Sequence, residues 1–512
     1  MEWKLNLEKA GARPKYQHLV DFITQAVASG RLQPGDRIPS VADLVKKLRV
    51  NKVTVVRAFR ELEQRGLIAS QVGRGSFVTG APAHGRQERE ELRSSAVGAS
   101  ALTPSRPEVT QLVRRLRDRY VVEVMQLLAV EPRKPGIDLR AGIPPESGVP
   151  RDLLERVAQQ VCQHNIERLY GYAYLGLPEL RDSLATWLDS RGYHIKPEQI
   201  LITNGSQQAL SLLSAWALDD RRSIVCETPT FIGVPRLFAQ TGHLIESVPW
   251  VGQELWTDKV THLTKSRRCL IYCCPEFHNP TGQCLSIDSR LSLAELAVQS
   301  DTIVVVDDIF RDLRFTGEEL PSLYEYLPPS RRILVGSFSK SLMPGLRVGF
   351  LVADRPLIEE LAPIQRWMDL GGPPLMQAIL ACFLNHGYAE HLASIRAHYR
   401  ERCEVICQAL ERHMPEGVVF TRPEGGFHLW VQMPVGFSSV QVYLQALERG
   451  VAIYPGSAHD IDGQYLHCFR LSYGCASPEE IQRGVEVVAQ VVRDTLKRGP
   501  AEPAATGVGL PM

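Results

Sequence analysis

Between residues 137 and 498 five short apolar runs, at 200–203, 223–227, 269–274, 302–307 and 333–337, alternate with stretches of helical periodicity. Runs of four to six residues that are apolar throughout, with no polar residue at every second position, belong to strands covered on both faces. With helices between them, they predict an α/β domain with a largely parallel sheet, and ligands then gather at the carboxyl ends of its strands. From about Gln365 the pattern changes to that of a smaller α+β subdomain.

Ahead of this domain, residues 15–79 read as three helices and a two-stranded wing. Leu19, Phe22, Ile23, Ala26 and Val27 recur at helical spacing over 16–29, and Gly30 and Pro34-Gly35 end that helix. Ser40 is placed to cap a helix over 41–48, and Asn51 caps the next, 52–65, which stops at Gly66. Strands at 67–70 and 76–79 enclose Val72-Gly73-Arg74-Gly75. The predicted organisation is 1–79, a winged helix-turn-helix; 80–136, a linker containing a charged helix near 109–128; 137–498, the α/β domain; and 499–512, a Pro/Ala/Gly-rich disordered tail.

The chain has 512 residues, is 44% hydrophobic and carries a formal net charge of +1, so its overall charge gives no case for nucleic-acid binding. The local distribution does: residues 31–75 hold ten Lys and Arg and four acidic residues. The second helix of a helix-turn-helix enters the major groove, which makes Ser40, Asn51, Lys52, Thr54 and Arg57 candidate DNA contacts, with Arg74 at the wing tip reaching an adjacent groove. No stretch has the ~18 uninterrupted apolar residues of a membrane helix and the N-terminus has no signal-peptide pattern, so a cytoplasmic protein is expected. Eleven cysteines without a C-x-x-C pair point to buried thiols, and no metal site is expected.

The chemistry concentrates at strand ends. Gly336–Gly349, read as GSFSKSLMPGLRVG, places the amine of Lys340 beside the hydroxyls of Ser337 and Ser339 and the guanidinium of Arg347, a set able to hold a lysine near a bound phosphate. Asp307 ends the apolar run 302–307, where a carboxylate can keep a pyridine nitrogen protonated. Asn279, in His278-Asn279-Pro280-Thr281-Gly282, can donate to a ring oxygen, and Ser206 and Gln207 open a helix whose N-terminal amides would meet a phosphate. Each signal alone is ambiguous: a strand-end lysine, a helix cap, a proline turn. All of them together, in order, are specific.

Together these residues resemble fold-type I pyridoxal phosphate (PLP) enzymes, the aspartate aminotransferase superfamily, across about 350 residues. The resemblance implies that Lys340 carries PLP as a Schiff base, Asp307 pairs with the ring nitrogen, Asn279 bonds the ring oxygen, and Ser206 and Gln207 lie in the phosphate cup. It also implies that Phe231 stacks on the ring, Arg470 in FRLSYG grips an α-carboxylate, and Tyr172 is lent by a partner subunit. Phe310 stands where that superfamily usually has a tyrosine that bonds the ring oxygen. Residues 15–79 resemble the GntR regulators, with Ala42 where an arginine is common. The whole chain resembles the MocR subfamily, which implies a homodimer that binds an operator in double-stranded DNA and senses a small amine, an amino acid or PLP itself. An effector amine would displace Lys340. The rival readings are a working aminotransferase with an accessory DNA domain, and a DNA-binding module with an empty vestigial domain.

Overall fold

The computed structural model describes residues 15–29, 31–33, 35–39, 41–48, 50, 54–55, 58–59, 62, 67–71, 75–78, 136–164, 166–255, 257–264 and 267–500. The chain divides into two compact units, Met1–Thr103 and Pro104–Met512.

In the first unit, helices Lys15–Ala28 and Val41–Leu48 and a helical stretch including Thr54, Val55, Ala58, Phe59 and Leu62 enclose one core. Val55, Ala58, Phe59 and Leu62 follow the i, i+3, i+4, i+7 spacing that puts them on one face, and all are buried with Leu19, Ile23, Leu44 and Ile68. The wing strands are β2 (Ile68–Gln71) and β3 (Gly75–Val78). A third, β1 (Arg37–Ile38), pairs antiparallel with β3 and gives the sheet order β1-β3-β2. This two-residue strand is too short to leave a period in the sequence.

Among the described residues, the second unit opens with β4 (Ile137–Asp138). Its main sheet holds β5 (Ile200–Thr203), β6 (Ser223–Thr228), β7 (Ile245–Val251), β8 (Glu254–Leu255), β9 (Cys269–Cys273), β10 (Thr302–Asp307), β11 (Arg332–Ser337) and β12 (Gly349–Val352). The order is β5-β12-β11-β10-β9-β6-β7-β8. Strands β7, β6, β9, β10 and β11 run parallel, while β12 lies antiparallel between β11 and β5. The carboxyl ends of β5, β6, β9, β10 and β11 therefore share one edge, and every residue of β9 and β10 is buried, as the uniformly apolar runs require.

The smaller subdomain carries β13 (Val419–Phe420), β14 (His428–Gln432), β15 (Val451–Ala452), β16 (Tyr454–Pro455) and β17 (Cys468–Ser472), the last two joining β13 and β14 in the antiparallel order β13-β14-β17-β16. Helices Tyr388–His413 and Pro478–Lys497 pack together beside it. Two boundaries differ from the sequence reading. Gln365 belongs to the large sheet's layer: it is fully buried in helix Arg355–Asp369 and its Nε2 donates to the Ile202 carbonyl at 2.6 Å. Conversely β4 pairs in parallel with β15, so the first described residues of this unit belong with its last third. The expected linker helix near 109–128 and most of the tail lie outside the described residues.

Candidate functional site

At the shared strand edge a cavity of about 440 Å³ is lined by residues from both subdomains, among them Phe231, Asn279, Lys340, His428, Tyr454 and Arg470. The structure brings three of the predicted groups into one cavity and bonds two of them, Arg470 and Asn279, directly. Arg470, from the middle of β17, is 5% exposed, and its Nη1 donates to Asn279 Oδ1 at 2.8 Å. Its Nη2 donates to the Arg140 carbonyl at 2.6 Å, while Nε has no partner. Lys340 donates through Nζ to the Gly142 carbonyl at 2.6 Å. Burial, with Arg470 nearby, brings the Lys340 ammonium down to about 8. Arg470 pairs with no carboxylate among the described residues, and burial pulls it down to about 10.

Asp307 closes β10 behind the lysine and is 2% exposed. Burial pushes its carboxyl up to about 7, against the hydrogen bond it accepts from the Tyr272 hydroxyl at 2.6 Å. Tyr272 was missed from sequence because it sits inside an apolar strand, where nothing separates a hydroxyl with a task from a merely buried ring. Phe310 is 1% exposed and packs edge-on against Phe427 and His428, so an apolar side chain suits the position.

The predicted phosphate ligands converge elsewhere on the same edge. Gly205, with φ +83°, turns the chain from β5 into helix Ser206–Asp219, whose N-terminus has no side-chain cap. The Arg347 Nη2 donates to the Asn204 carbonyl at 2.6 Å, and a Cβ on Gly205 would stand 2.9 Å from that guanidinium. Gly349 approaches so closely that its own Cβ would lie 2.7 Å from Gly205 Cα. Ser337 and Ser339 are bonded hydroxyl to hydroxyl at 3.0 Å. Ser206 and Gln207 begin the helix. A backbone turn kept clear of side chains, a free helix N-terminus, paired hydroxyls and an arginine are what an anion cup requires.

Tyr172 is 70% exposed, stacks on Tyr174 at 5.9 Å and does not line this cavity within its own chain. Sequence reasoning also missed the cavity's other wall: Asp138, Arg140, His428, Tyr443 and Tyr454. Burial holds the His428 imidazole well below its ordinary range, so it is a neutral part of that wall. Of the DNA-contact residues, Thr54 is helical and half-buried. Ser40, Asn51, Lys52, Arg57 and Arg74 lie outside the described residues.

Residues 134–488 match the family described as aminotransferase class I and II. The chain belongs to this family. Residues 15–78 of this family member match the gntR family of bacterial regulatory proteins, so it is a GntR-type regulator fused to an aminotransferase-like domain, the MocR architecture. An uncharacterized HTH-type transcriptional regulator, YdfD of Bacillus subtilis, is 30% identical over 95% of this chain and 98% of its own. The 2-aminoadipate transaminase of Thermus thermophilus is 32% identical over 75% of this chain and 96% of its own. The crystal structure of LysN, an α-aminoadipate aminotransferase from Thermus thermophilus in complex with N-(5'-phosphopyridoxyl)-L-leucine, matches with a TM-score of 0.66 at 32% identity, over 71% of this chain and 93% of that one.

The cofactor of this aminotransferase-like regulator is pyridoxal 5'-phosphate. Its residues fit that group: a carboxyl held at a buried strand end, an anion cup cleared by glycines, an amine in the cavity and an asparagine whose amide N–H₂ has no protein acceptor among the described residues. The gntR-family domain makes the chain DNA-binding. Among the described residues no helix is long and apolar enough to cross a membrane, and no group of acidic, His or Cys side chains could hold a metal ion.

Proposed function

We propose that this chain is a PLP-dependent transcription regulator that senses a small amine or amino acid in the cavity between Lys340 and Arg470. One observation carries the reading: Arg470 is a buried guanidinium with an unpartnered Nε and no carboxylate partner among the described residues, in the same cavity as the lysine. A buried charge left without a counter-charge is costly, so it marks a place where an anion is to be received. A carboxylate there would be held bidentately.

Bound at this site, PLP would supply an aldehyde reactive towards primary amines, with the Lys340 amine placed to hold it. Asp307 would hold the ring nitrogen, Asn279 the ring oxygen, Phe231 the ring face, and Ser206, Gln207, Ser337, Ser339 and Arg347 the phosphate. In a homodimer, the exposed Tyr172 reaches the partner's cavity. Ser40, Asn51, Lys52, Thr54, Arg57 and Arg74 contact the operator. A ligand can shift the regulator only by binding its two states unequally.

A second reading, a working aminotransferase, is favoured by the completeness of the lysine, aspartate, asparagine and arginine set. Absorbance titration of the purified holoprotein with a panel of amines and amino acids separates the cases. Sensing predicts a saturable change in the cofactor band with turnover far below roughly 1 s⁻¹. Sustained keto-acid formation at or above that rate favours the enzyme, and an unchanging spectrum contradicts both.

A further inference from the structure

The wall of the cavity contributed by β4 and the turn after it carries an ion pair with no part in the cofactor assignments. Arg140 and Asp138 both line the cavity. They are bonded twice through side chains, Nε to Oδ1 at 3.2 Å and Nη2 to Oδ2 at 3.1 Å, and the Arg140 amide also donates to Asp138 Oδ1 at 2.8 Å. Their side chains are 21% and 32% exposed, so the pair is half-buried in the cavity wall. The Arg140 carbonyl in turn receives Arg470 Nη2, which fixes this pair beside the carboxylate grip.

The charges lining the cavity then add simply. Lys340 is the cofactor's residue, and Asp138 cancels Arg140, which leaves the single positive charge of Arg470. A site with one uncompensated cation receives a ligand with one carboxylate. A second carboxylate on the ligand would have to displace Asp138 from Arg140 or lie against it, and like charges brought together out of water repel strongly. A neutral polar end meets no such penalty, because a paired arginine keeps spare N–H donors and a paired carboxylate keeps spare lone pairs.

We propose that the Asp138–Arg140 pair is the specificity determinant of the effector site, selecting amino compounds with one carboxylate and a neutral remainder and rejecting dicarboxylic amino acids. The inference rests on the sensing reading above. It makes Asp138 a mask over a second carboxylate site.

The test is an absorbance titration of wild-type, D138N and D138N/R140Q holoproteins with alanine, glutamine, glutamate and 2-aminoadipate. Wild type should respond to alanine or glutamine at concentrations at least tenfold below those needed for the dicarboxylates. D138N, with Arg140 unmasked, should improve its preference for glutamate or 2-aminoadipate over glutamine at least tenfold, and D138N/R140Q should lose that gain. Circular dichroism and cofactor content of each variant establish that it is folded and loaded. A wild type that prefers the dicarboxylates, or a D138N protein with unchanged preference, overturns the inference while leaving sensing intact. A response to primary amines but to none of the four amino acids also overturns the inference alone, and a spectrum unchanged by every amine and amino acid overturns both.

Discussion

Replacing Arg470 by glutamine should separate effectors that carry a carboxylate from those that do not. In the structure the guanidinium donates to Asn279 and to the Arg140 carbonyl and keeps Nε and further N–H groups for a ligand. Two hydrogen bonds to a charged group, each ~1.5–3 kcal/mol, give about 3 kcal/mol at the low end, or roughly a 10²-fold loss of affinity. The loss applies only to ligands with a carboxylate. The assay is an absorbance titration of wild type and R470Q with an amino acid and with the primary amine that lacks its carboxylate. Affinity for the amino acid should fall roughly 10²-fold and that for the amine by less than about threefold. Because the variant removes a buried cation that has no directly paired carboxylate among the described residues, the apoprotein should unfold at a Tm no lower than wild type. Equal losses for both ligands, or none, would refute the assignment of Arg470 as the carboxylate grip.

Two further outcomes follow from the cofactor site. The Asp307 carboxyl is raised by burial from 3.8 to about 7, so the folded apoprotein keeps a proton across that window that the unfolded chain has released. Stability of the apoprotein should fall as pH rises from about 4 to about 7, and D307N should flatten that dependence; identical pH profiles of thermal unfolding for the two proteins would contradict it. In G349A the new methyl would meet Gly205 Cα and the Ser206 backbone nitrogen at 2.7 and 2.8 Å, so the phosphate cup must open. PLP affinity, measured by fluorescence quenching, should drop more than about tenfold with the fold retained, and unchanged affinity would show that the cup lies elsewhere.

The sheet was legible where burial on both faces made a strand uniformly apolar, as in β9 and β10. It was not legible in β8 or β12, which are short or begin at glycine and owe their pairing to neighbours distant in the chain. The same distinction holds in the site. Lys340, Asp307 and Asn279 were readable because each ends or follows a strand, where a polar residue breaks an apolar pattern. Tyr272 breaks no pattern, and Asp138 and Arg140 lie in no motif; only the pairing of β4 with β15 and the cavity lining bring them to the site. The subdomain boundary failed at Gln365 for a related reason: a glutamine on an otherwise amphipathic helix looks solvent-facing, yet it binds the backbone of β5.

In the proposed regulator one chain couples an effector at Lys340 and Arg470 to an operator on the gntR-type domain, and linkage makes that coupling reciprocal. The most direct measurement is the effector titration of the holoprotein repeated in saturating DNA from its own upstream region, alongside operator affinity with and without saturating effector. The two factors should be equal and on the order of 5- to 150-fold. Effector and operator affinities that are each indifferent to the other ligand would contradict the account.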